Sequence, residues 1–245
     1  MNPLRCQALR DDARRLSQMV GILAVFAGLV LANAAEPKSS ASAAATTNKS
    51  AASQGQSTNA WKNLFDGKTL TGWKSTDFAG HGEVTVKDGT IQLGNGYMTG
   101  ITWTNLAELP RMNYEISLEA MRVEGSDFFC GLTFPVGKDP CSFIVGGWGG
   151  GVVGLSSLDG QDASQNETTK YMNFPTGRWF QIRVRVTAGK IEAWIDTEKM
   201  VDVTTADKSI SIRLEVEPSK PLGIASWNTA AALRNLKLRA IKAGS

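Results

Sequence analysis

Residues 113–123 read NYEISLEAMRV, and apolar side chains alternate with polar ones along this stretch. One face of an extended chain would carry the apolar positions Tyr114, Ile116, Leu118 and Ala120. The other face would carry Glu115, Ser117 and Glu119. Because successive side chains of a strand point to opposite faces of the sheet, the stretch predicts a long strand with one buried and one polar face.

The same alternation recurs along the chain after Trp61. Residues 178–186, RWFQIRVRV, place Arg183 and Arg185 on the polar side of a second strand. EVTVKDGTIQL predicts a hairpin that turns at Asp88 and Gly89, and TNLAELP predicts a short helical turn ended by Pro110. Further short strands are predicted from KIEAWID, PLGIASW and ALRNLKLRAI. Many short amphipathic strands separated by turn residues indicate an all-β antiparallel sandwich or jelly roll.

The first 34 residues have the pattern of a secretory signal peptide. Four arginines precede the apolar run of residues 19–32, and an A-x-A pattern follows at residues 32–34. The run is shorter than the roughly 20 residues that a membrane span needs, so no stable membrane span is expected after cleavage. The expected location of the mature protein is therefore secreted or periplasmic.

Residues 35–60 are rich in alanine, serine and threonine, and they predict a disordered linker ahead of one domain at residues 61–245. Loss of residues 1–34 removes four of 26 basic and two of 23 acidic side chains, which leaves a formal charge of +1. Since the sequence shows no basic stripe, nucleic acid is not an expected partner. The sequence leaves the oligomeric state open.

Residues 146–154 read GGWGGGVVG and surround Trp148 with glycines. Gly149, Gly151 and Gly154 fit G-x-G-x-x-G, but the following VVGLSSLDG predicts a strand and a turn rather than the helix that a dinucleotide site needs. Glycines in a strand mark a bend or a close approach to the backbone. Trp148 is therefore interpreted either as a flat platform for a sugar or as a core tryptophan where two strands cross.

Short polar side chains follow this segment in SSLDGQDASQNETT. The candidate ligand-binding residues are Trp148, Asp159, Asp162, Asn166 and Glu167. Their oxygen atoms could bind the hydroxyls of a saccharide. They could also hold Ca2+, although they do not fit the D-x-[DN]-x-[DN]-G loop, and no other cofactor is expected.

Histidine and cysteine chemistry has little support. The only histidine, His81, lies in an AGHGE loop and is expected to be solvated, which disfavours a histidine zinc site and a Ser-His-Asp triad. A hairpin turn at residues 137–140 would place Cys141 opposite Val136 and several residue pairs from Cys130. A disulfide between Cys130 and Cys141 and a pair of buried thiols remain alternatives.

Residues 64–73, LFDGKTLTGW, resemble the opening signature of the 3-keto-disaccharide hydrolase domain family. The resemblance continues through VKDGTIQLG, NYEISLEAMR, GRWFQIRVRV and GIASWNTAAALRNLKLRAI, and so covers residues 61–245. It implies a concanavalin A-like or LamG-like jelly roll of two antiparallel sheets. It also implies an activity on glycosides whose C3 hydroxyl has been oxidised to a ketone, which with the signal peptide predicts an exported carbohydrate-active protein.

Such a ketone acidifies the hydrogen on C2. A carboxylate can remove this hydrogen, a cation can stabilise the enolate, and the C1 aglycone can leave by β-elimination before water adds. Glu115 and Glu119 are the candidate bases and Arg183 the candidate enolate stabiliser. Alternatively, these side chains form cross-strand ion pairs on a solvated sheet.

Two functions are carried forward. The first is a hydrolase or lyase of 3-keto-glycosides, with a saccharide or oxidised glycoside as partner, whose carboxylates and guanidinium groups share one groove with Trp148. The second is a non-catalytic carbohydrate-binding or adhesion module of the same fold, and a purely structural domain is a weaker third interpretation.

Overall fold

The computed structural model describes residues 59–243, so the predicted signal peptide 1–34 and nearly all of the predicted linker 35–60 lie outside the described residues. The strands in chain order are β1 (Lys62–Asn63), β2 (Trp73–Ser75), β3 (Val84–Lys87), β4 (Thr90–Leu93), β5 (Met98–Trp103), β6 (Tyr114–Gly125), β7 (Cys130–Val136), β8 (Asp139–Gly147), β9 (Val152–Ser156), β10 (Lys170–Tyr171), β11 (Trp179–Thr187), β12 (Lys190–Ile195), β13 (Glu198–Thr204), β14 (Gly223–Trp227) and β15 (Thr229–Ala240). Two short 3-10 turns, Leu106–Glu108 and Leu214–Ser219, complete the secondary structure of the described part.

The strands form two antiparallel sheets. The eight-stranded sheet has the order β13-β12-β11-β6-β15-β4-β3, with β1 paired to β15. The seven-stranded sheet has the order β10-β9-β8-β7-β14-β5-β2. This arrangement confirms the all-β prediction of a jelly-roll sandwich built from two antiparallel sheets. Between residues 59 and 243, no helix is long and apolar enough to cross a membrane.

The core lies between the sheets and follows the predicted alternation. On β6 the apolar side chains from Tyr114 to Ala120 are buried in the core, and β11 buries Phe180, Ile182, Val184 and Val186 in the same way. The seven-stranded sheet contributes Phe134, Phe143 and Leu155 from the other side. Each such side chain contributes about 1.5–3 kcal/mol when it leaves water. The pleat therefore decides which side chains build the core and which remain outside.

Two predicted turns are present. The β3–β4 hairpin pairs Lys87 with Thr90 and turns at Asp88 and Gly89, whose φ angles are 49° and 74°. Positive φ at both central residues matches the right-handed twist of the flanking strands. The 3-10 turn Leu106–Glu108 occupies the stretch predicted to hold a helical turn ahead of Pro110.

The β7–β8 hairpin differs from its predicted register. Val136 pairs with Asp139, so the turn is tighter than expected and Cys141 faces Phe134 rather than Val136. Cys130 pairs with Val145, several residue pairs away, and both cysteines are free and buried. The structure therefore favours two buried thiols over a disulfide, and burial raises the pKa of Cys141 to about 12.

Candidate functional site

A cavity of about 260 Å³ lies on the outer face of the seven-stranded sheet. Ser142 and Ile144 of β8 line it, whereas their neighbours Cys141, Phe143 and Val145 point into the core. The cavity therefore lies on the solvent side of this sheet and not between the sheets. Its lining comprises Met98, Asp127, Phe128, Ser142, Ile144, Trp148, Ser156, Arg213, Glu215, Val216 and Trp227.

The 3-10 turn Leu214–Ser219 forms one wall of the cavity. Val216 is buried in a small apolar cluster with Met98 and Phe78 on the outside of the sheet. The hydroxyl of Thr102 on β5 donates a hydrogen bond of 3.0 Å to the carbonyl of Pro218. These contacts hold the turn against the sheet and bring the flanking charged side chains Arg213 and Glu215 to the cavity.

The opposite wall is the loop between β8 and β9, which carries Trp148. Trp148 has a φ of +48° and its side chain is 43% exposed, so the interpretation as a core tryptophan is wrong. The segment continues as strand β9 and not as a helix, which confirms that the G-x-G-x-x-G match is not a dinucleotide fingerprint. An exposed indole at the edge of a cavity provides a flat apolar face for a ligand.

The glycines beside Trp148 allow the loop to close around a buried guanidinium group. Arg122 on β6 donates to four backbone carbonyls, those of Phe174 (2.9 Å), Asp127 (3.1 Å), Gly146 (3.3 Å) and Gly150 (3.0 Å). A Cβ atom at Gly146 would lie 2.7 Å from Arg122 Nη2, and one at Gly150 would lie 2.9 Å from the carbonyl of Ser126. The glycines were expected to mark a place where another group approaches the backbone closely. That group is the guanidinium of Arg122, which reaches the backbone from inside the protein.

Two glycines of this loop provide a matched test. We expect Gly149→Ala to lower the free energy of unfolding by about 1 kcal/mol, because its φ is +85° but nothing lies within 4 Å of the added Cβ. Gly146 has a similar φ of +79°, and an alanine Cβ at this position would also contact the guanidinium of Arg122. We therefore expect Gly146→Ala to lower the free energy of unfolding by about 2–4 kcal/mol. Urea denaturation measures both losses, and equal losses would contradict the role of Arg122.

Asp127 is held rigidly beside Trp148. One carboxylate oxygen accepts a hydrogen bond from the backbone N–H of Phe128 (2.8 Å), and the other accepts one from the N–H of Gly149 (3.2 Å). Asp127 lines the cavity and is half-buried. The protein therefore fixes the direction of this carboxylate and leaves its remaining lone pairs to face a ligand.

Arg213 sits between two carboxylates at the cavity. It donates to Asp162 at 3.1 Å and to Glu215 at 2.7 Å. The hydrogen bond from Arg213 lowers the pKa of Glu215, so Glu215 is ionised at neutral pH. The cavity thus combines two carboxyl side chains, Asp127 and Glu215, with one guanidinium group.

Further polar and aromatic side chains complete the lining. Ser156 is 1% exposed and its buried hydroxyl has no hydrogen-bond partner within the described residues, whereas the Ser142 hydroxyl is bonded to that of Thr133 at 2.8 Å. An unpartnered buried hydroxyl costs free energy unless a ligand or water satisfies it. Trp227 is backed by Tyr97, with ring centroids 4.2 Å apart.

Of the predicted ligand-binding residues, Trp148 alone lines this cavity. Asp159 and Glu167 pair with Lys208 at 3.1 and 2.9 Å. Asn166 donates to three backbone carbonyls and so shapes its own loop. Asp162 reaches the site indirectly, by holding Arg213.

The carboxylate oxygens of Asp159, Asp162 and Glu167 are engaged in those ion pairs, and the amide oxygen of Asn166 accepts hydrogen bonds from Thr168. Across residues 59–243, no group of three or more His, Cys, Asp or Glu side chains is arranged to hold a metal ion. Calcium binding by the loop stays a prediction.

The predicted catalytic residues lie on the other side of the sandwich. Glu115 and Glu119 point outward from β6 in the eight-stranded sheet, as does Arg183 from β11. Glu115 accepts hydrogen bonds from Arg183 (3.1 Å) and Arg185 (2.7 Å). The prediction of one groove shared by Trp148 and these side chains is therefore wrong, because the two sheets have separate outer faces with the core between them.

The contacts around these glutamates are those of cross-strand ion pairs. Glu119 accepts hydrogen bonds from Arg234 (2.8 Å) and Asn235 (2.7 Å). It also lines a small polar depression of about 140 Å³. Catalysis by Glu115, Glu119 or Arg183 stays a prediction, and it would require a second site away from the larger cavity.

Sequence reasoning missed Asp127, Arg213, Glu215 and Trp227, whereas Ser156 is the first residue of the polar segment SSLDGQDASQNETT. Asp127 lies between the end of β6 and the apolar run FFC at residues 128–130. A carboxylate just after the end of a long strand is the signal that could have identified it. Arg213 and Glu215 lie in SISIRLEVE, residues 209–217, which alternates like a strand but forms only an isolated bridge at Ile210 followed by the 3-10 turn Leu214–Ser219. Their place beside the cavity follows from the docking of the 3-10 turn.

Several solved structures are similar to this chain. A Crh5 transglycosylase in complex with NAG superposes with a TM-score of 0.53 and 12% identity, covering 75% of this chain and 85% of that one. A provisionally assigned glycosyl hydrolase from Parabacteroides distasonis gives a TM-score of 0.47 and 19% identity, covering 74% and 94%. The carbohydrate binding module CBM66 from Bacillus subtilis gives 0.47 and 11%, covering 69% and 96%.

No curated protein sequence gives a significant match to the chain. The family model of the 3-keto-alpha-glucoside-1,2-lyase-like domain matches residues 60–239, which include every strand except the last residue of β15. This match confirms the family resemblance that begins at LFDGKTLTGW. The chain belongs to the 3-keto-alpha-glucoside-1,2-lyase-like domain family.

Proposed function

We propose that this protein is exported and cleaves the glycosidic bond of 3-keto-glycosides in the cavity beside Trp148. One observation carries the proposal: a single cavity of about 260 Å³ joins an exposed indole, an unpartnered serine hydroxyl, a rigid carboxylate and a guanidinium group. Indole faces suit the C–H faces of sugars, and convergent polar groups suit their hydroxyls. Family membership supports a 3-keto-glycoside as the substrate class.

Asp127 acts as the general base in this proposal. It takes the proton from C2, and the C2–H electron pair delocalises onto the C3 oxygen as an enolate. The enolate then collapses to form the C1–C2 double bond as the C1–O bond breaks. The aglycone takes a proton from water, and the hydroxide that remains takes the proton from Asp127. Water then adds across the double bond, so that the net reaction is hydrolysis. A positioned base contributes about 100- to 10,000-fold to such a step.

Arg213 stabilises the negative charge that develops on the C3 oxygen. Asp162 and Glu215 hold its guanidinium at the cavity, so little reorganisation is needed when the enolate forms. Ser156 donates its unpartnered hydroxyl to a substrate oxygen. Trp148 and Trp227 bound the space for the sugar ring.

Export is proposed from the pattern of residues 1–34, in which arginines, an apolar run and an A-x-A site follow one another. The short apolar run favours cleavage and release over membrane anchoring. The mature protein would then meet glycosides in the periplasm or outside the cell. N-terminal sequencing of the purified secreted protein tests this step, and a mature chain that still begins at Met1 would contradict it.

A non-catalytic sugar-binding module is the second candidate. The cavity lining favours it in one respect, because most of its side chains are apolar or aromatic, as in binding sites that hold a sugar without reacting. The two candidates share the cavity but differ in turnover. Sugar binding without bond cleavage would support the module.

The deciding experiment uses the full-length protein with 4-nitrophenyl 3-keto-α-glucoside, and 4-nitrophenyl α-glucoside as the control. We expect release of 4-nitrophenol from the keto substrate only, because the unoxidised sugar has no acidic C2 hydrogen. Deuterium at C2 should slow the reaction measurably if proton removal limits the rate. Equal cleavage of both glycosides, or cleavage of neither, would contradict the proposed reaction.

A further inference from the structure

The outer face of the eight-stranded sheet, on the side away from the cavity, carries three guanidinium groups around one carboxylate. Arg183, Arg185 and Arg239 form this arginine cluster and all contact Glu115. The Glu115 side chain is 0% exposed, whereas the three arginine side chains remain 31%, 29% and 27% exposed. The single anion is therefore covered, and the surface that solvent meets is cationic.

The register of the strands explains the cluster. Glu115 lies on β6 between two neighbouring strands. Arg185 of β11 is paired with it on one side, and Arg239 of β15 is paired with it on the other. Arg183 lies two residues along β11 from Arg185 and reaches the same carboxylate oxygen at 3.1 Å. A second carboxylate, Glu192, lies 3.7 Å from Arg185 but also pairs with Lys199 and Lys190, so the three guanidinium groups of the cluster keep a surplus of positive charge.

The excess of positive charge extends beyond the arginine cluster over the outer face of the eight-stranded sheet. On β11, β12, β13 and β15 seven cationic side chains lie here, namely Arg183, Arg185, Lys190, Lys199, Arg234, Lys237 and Arg239. Four anionic ones oppose them, namely Glu115, Glu119, Glu192 and Asp202. Residues 59–245 are neutral overall, since six of 26 basic and three of 23 acidic side chains precede them, which leaves 20 of each. Positive charge is thus concentrated on one face of a neutral domain.

Tryptophan rings hold several of these cations in place. The guanidinium of Arg183 lies 3.8 Å from the ring centroid of Trp194. Arg239 and Lys237 lie 4.5 and 5.0 Å from the ring of Trp61. A guanidinium that is fixed before a ligand arrives loses less freedom when it binds one. The cluster is therefore preorganised to bind carboxylate groups through its outward N–H donors.

We propose that the arginine cluster docks the protein onto a carboxylate-bearing polysaccharide. Charge complementarity defines this occupant, because guanidinium groups bind carboxylates in a planar, bidentate geometry. Nucleic acid is a weaker fit, since the indole faces of Trp61 and Trp194 already carry cations and offer no stacking surface for bases. A polymer bound here leaves the cavity open on the opposite sheet.

The test measures binding of the full-length protein to polygalacturonate, with neutral dextran as the control polymer. We expect binding to polygalacturonate alone, and we expect it to weaken strongly between about 50 and 200 mM salt because surface charges are screened. Lys237→Gln should weaken binding about two- to fivefold. Arg183→Gln should weaken it about tenfold or more, since it removes a charged hydrogen-bond donor. Lys138→Gln, in the β7–β8 turn, is the matched control and should bind as the wild type does.

Several results would overturn the proposal: equal binding of dextran, wild-type affinity in both Lys237→Gln and Arg183→Gln, or tighter binding of duplex DNA or of anionic phospholipid vesicles than of polygalacturonate. If Arg183→Gln melts early, the exposed Lys237→Gln variant decides alone. Trp148→Ala should leave polymer binding unchanged. Absence of glycoside cleavage by the wild-type protein, together with intact polymer binding, would count against the proposed reaction and not against docking.

Discussion

Asp127→Asn is expected to lower kcat for aglycone release from a 3-keto-glucoside by about 100- to 10,000-fold. Asparagine has nearly the same shape and still offers a carbonyl oxygen to the backbone N–H of Phe128, which aspartate engages at 2.8 Å. It cannot accept a proton from C2 at neutral pH. The loss should therefore appear in kcat with little change in KM, and steady-state kinetics with a chromogenic substrate measures both.

Glu119→Gln is the comparison that separates the two outer faces. Burial alone would raise the pKa of Glu119, but hydrogen bonds from Asn235 and Arg234 outweigh burial and lower it, so Glu119 is ionised at neutral pH. It lies on the eight-stranded sheet and does not line the larger cavity. We expect this variant to keep turnover within about twofold of wild type. Loss of turnover in Glu119→Gln with activity retained in Asp127→Asn would move the reaction to the other sheet.

The fold was predictable because the alternation of apolar and polar side chains recurs in strand after strand. The alternation along β6 and β11 assigns each side chain to the core or to the outside, and the structure follows it at Tyr114, Ile116, Phe180 and Ile182. A register error of one residue would place a whole apolar set in water, so the pattern specifies the pairing strongly. The β7–β8 turn was less determined, because its apolar run allows more than one pairing.

The site was only partly predictable, and the reason is geometric. Alternation shows that Glu115 and Glu119 point outward, but it does not show which outer face a ligand uses. Trp148 was found because a tryptophan among glycines is unusual. Asp127 and Arg213 are far apart in sequence and meet only when the β8–β9 loop closes and the turn Leu214–Ser219 docks. Such long-range convergence leaves no local pattern.

Glu115 provides the second large expected effect, on stability. Its side chain is fully buried and holds Arg183, Arg185 and Arg239 together. Without it, three guanidinium groups would repel one another across an apolar void. We expect Glu115→Ala to lower the free energy of unfolding by about 3 kcal/mol at pH 7, the low end for a broken buried ion pair because the arginines keep contact with water. Glu119→Ala, on the same strand with 26% of its side chain exposed, should cost under about 1 kcal/mol.

The same carboxylate makes the stability of the wild type depend on pH. Burial alone would raise the pKa of Glu115, but hydrogen bonds from Arg185 and Arg239 outweigh burial and hold the pKa below its ordinary value of 4.5. A folded-state pKa below the unfolded-state value gives stability that is full above pH 4.5 and declines as the pH falls through the lowered pKa. Glu115→Gln lacks this ionisation, so its free energy of unfolding should fall less than that of the wild type between pH 6 and about pH 3. Urea denaturation across that range measures the difference, and parallel curves for the two proteins would show that Glu115 is not held as an ion among the arginines.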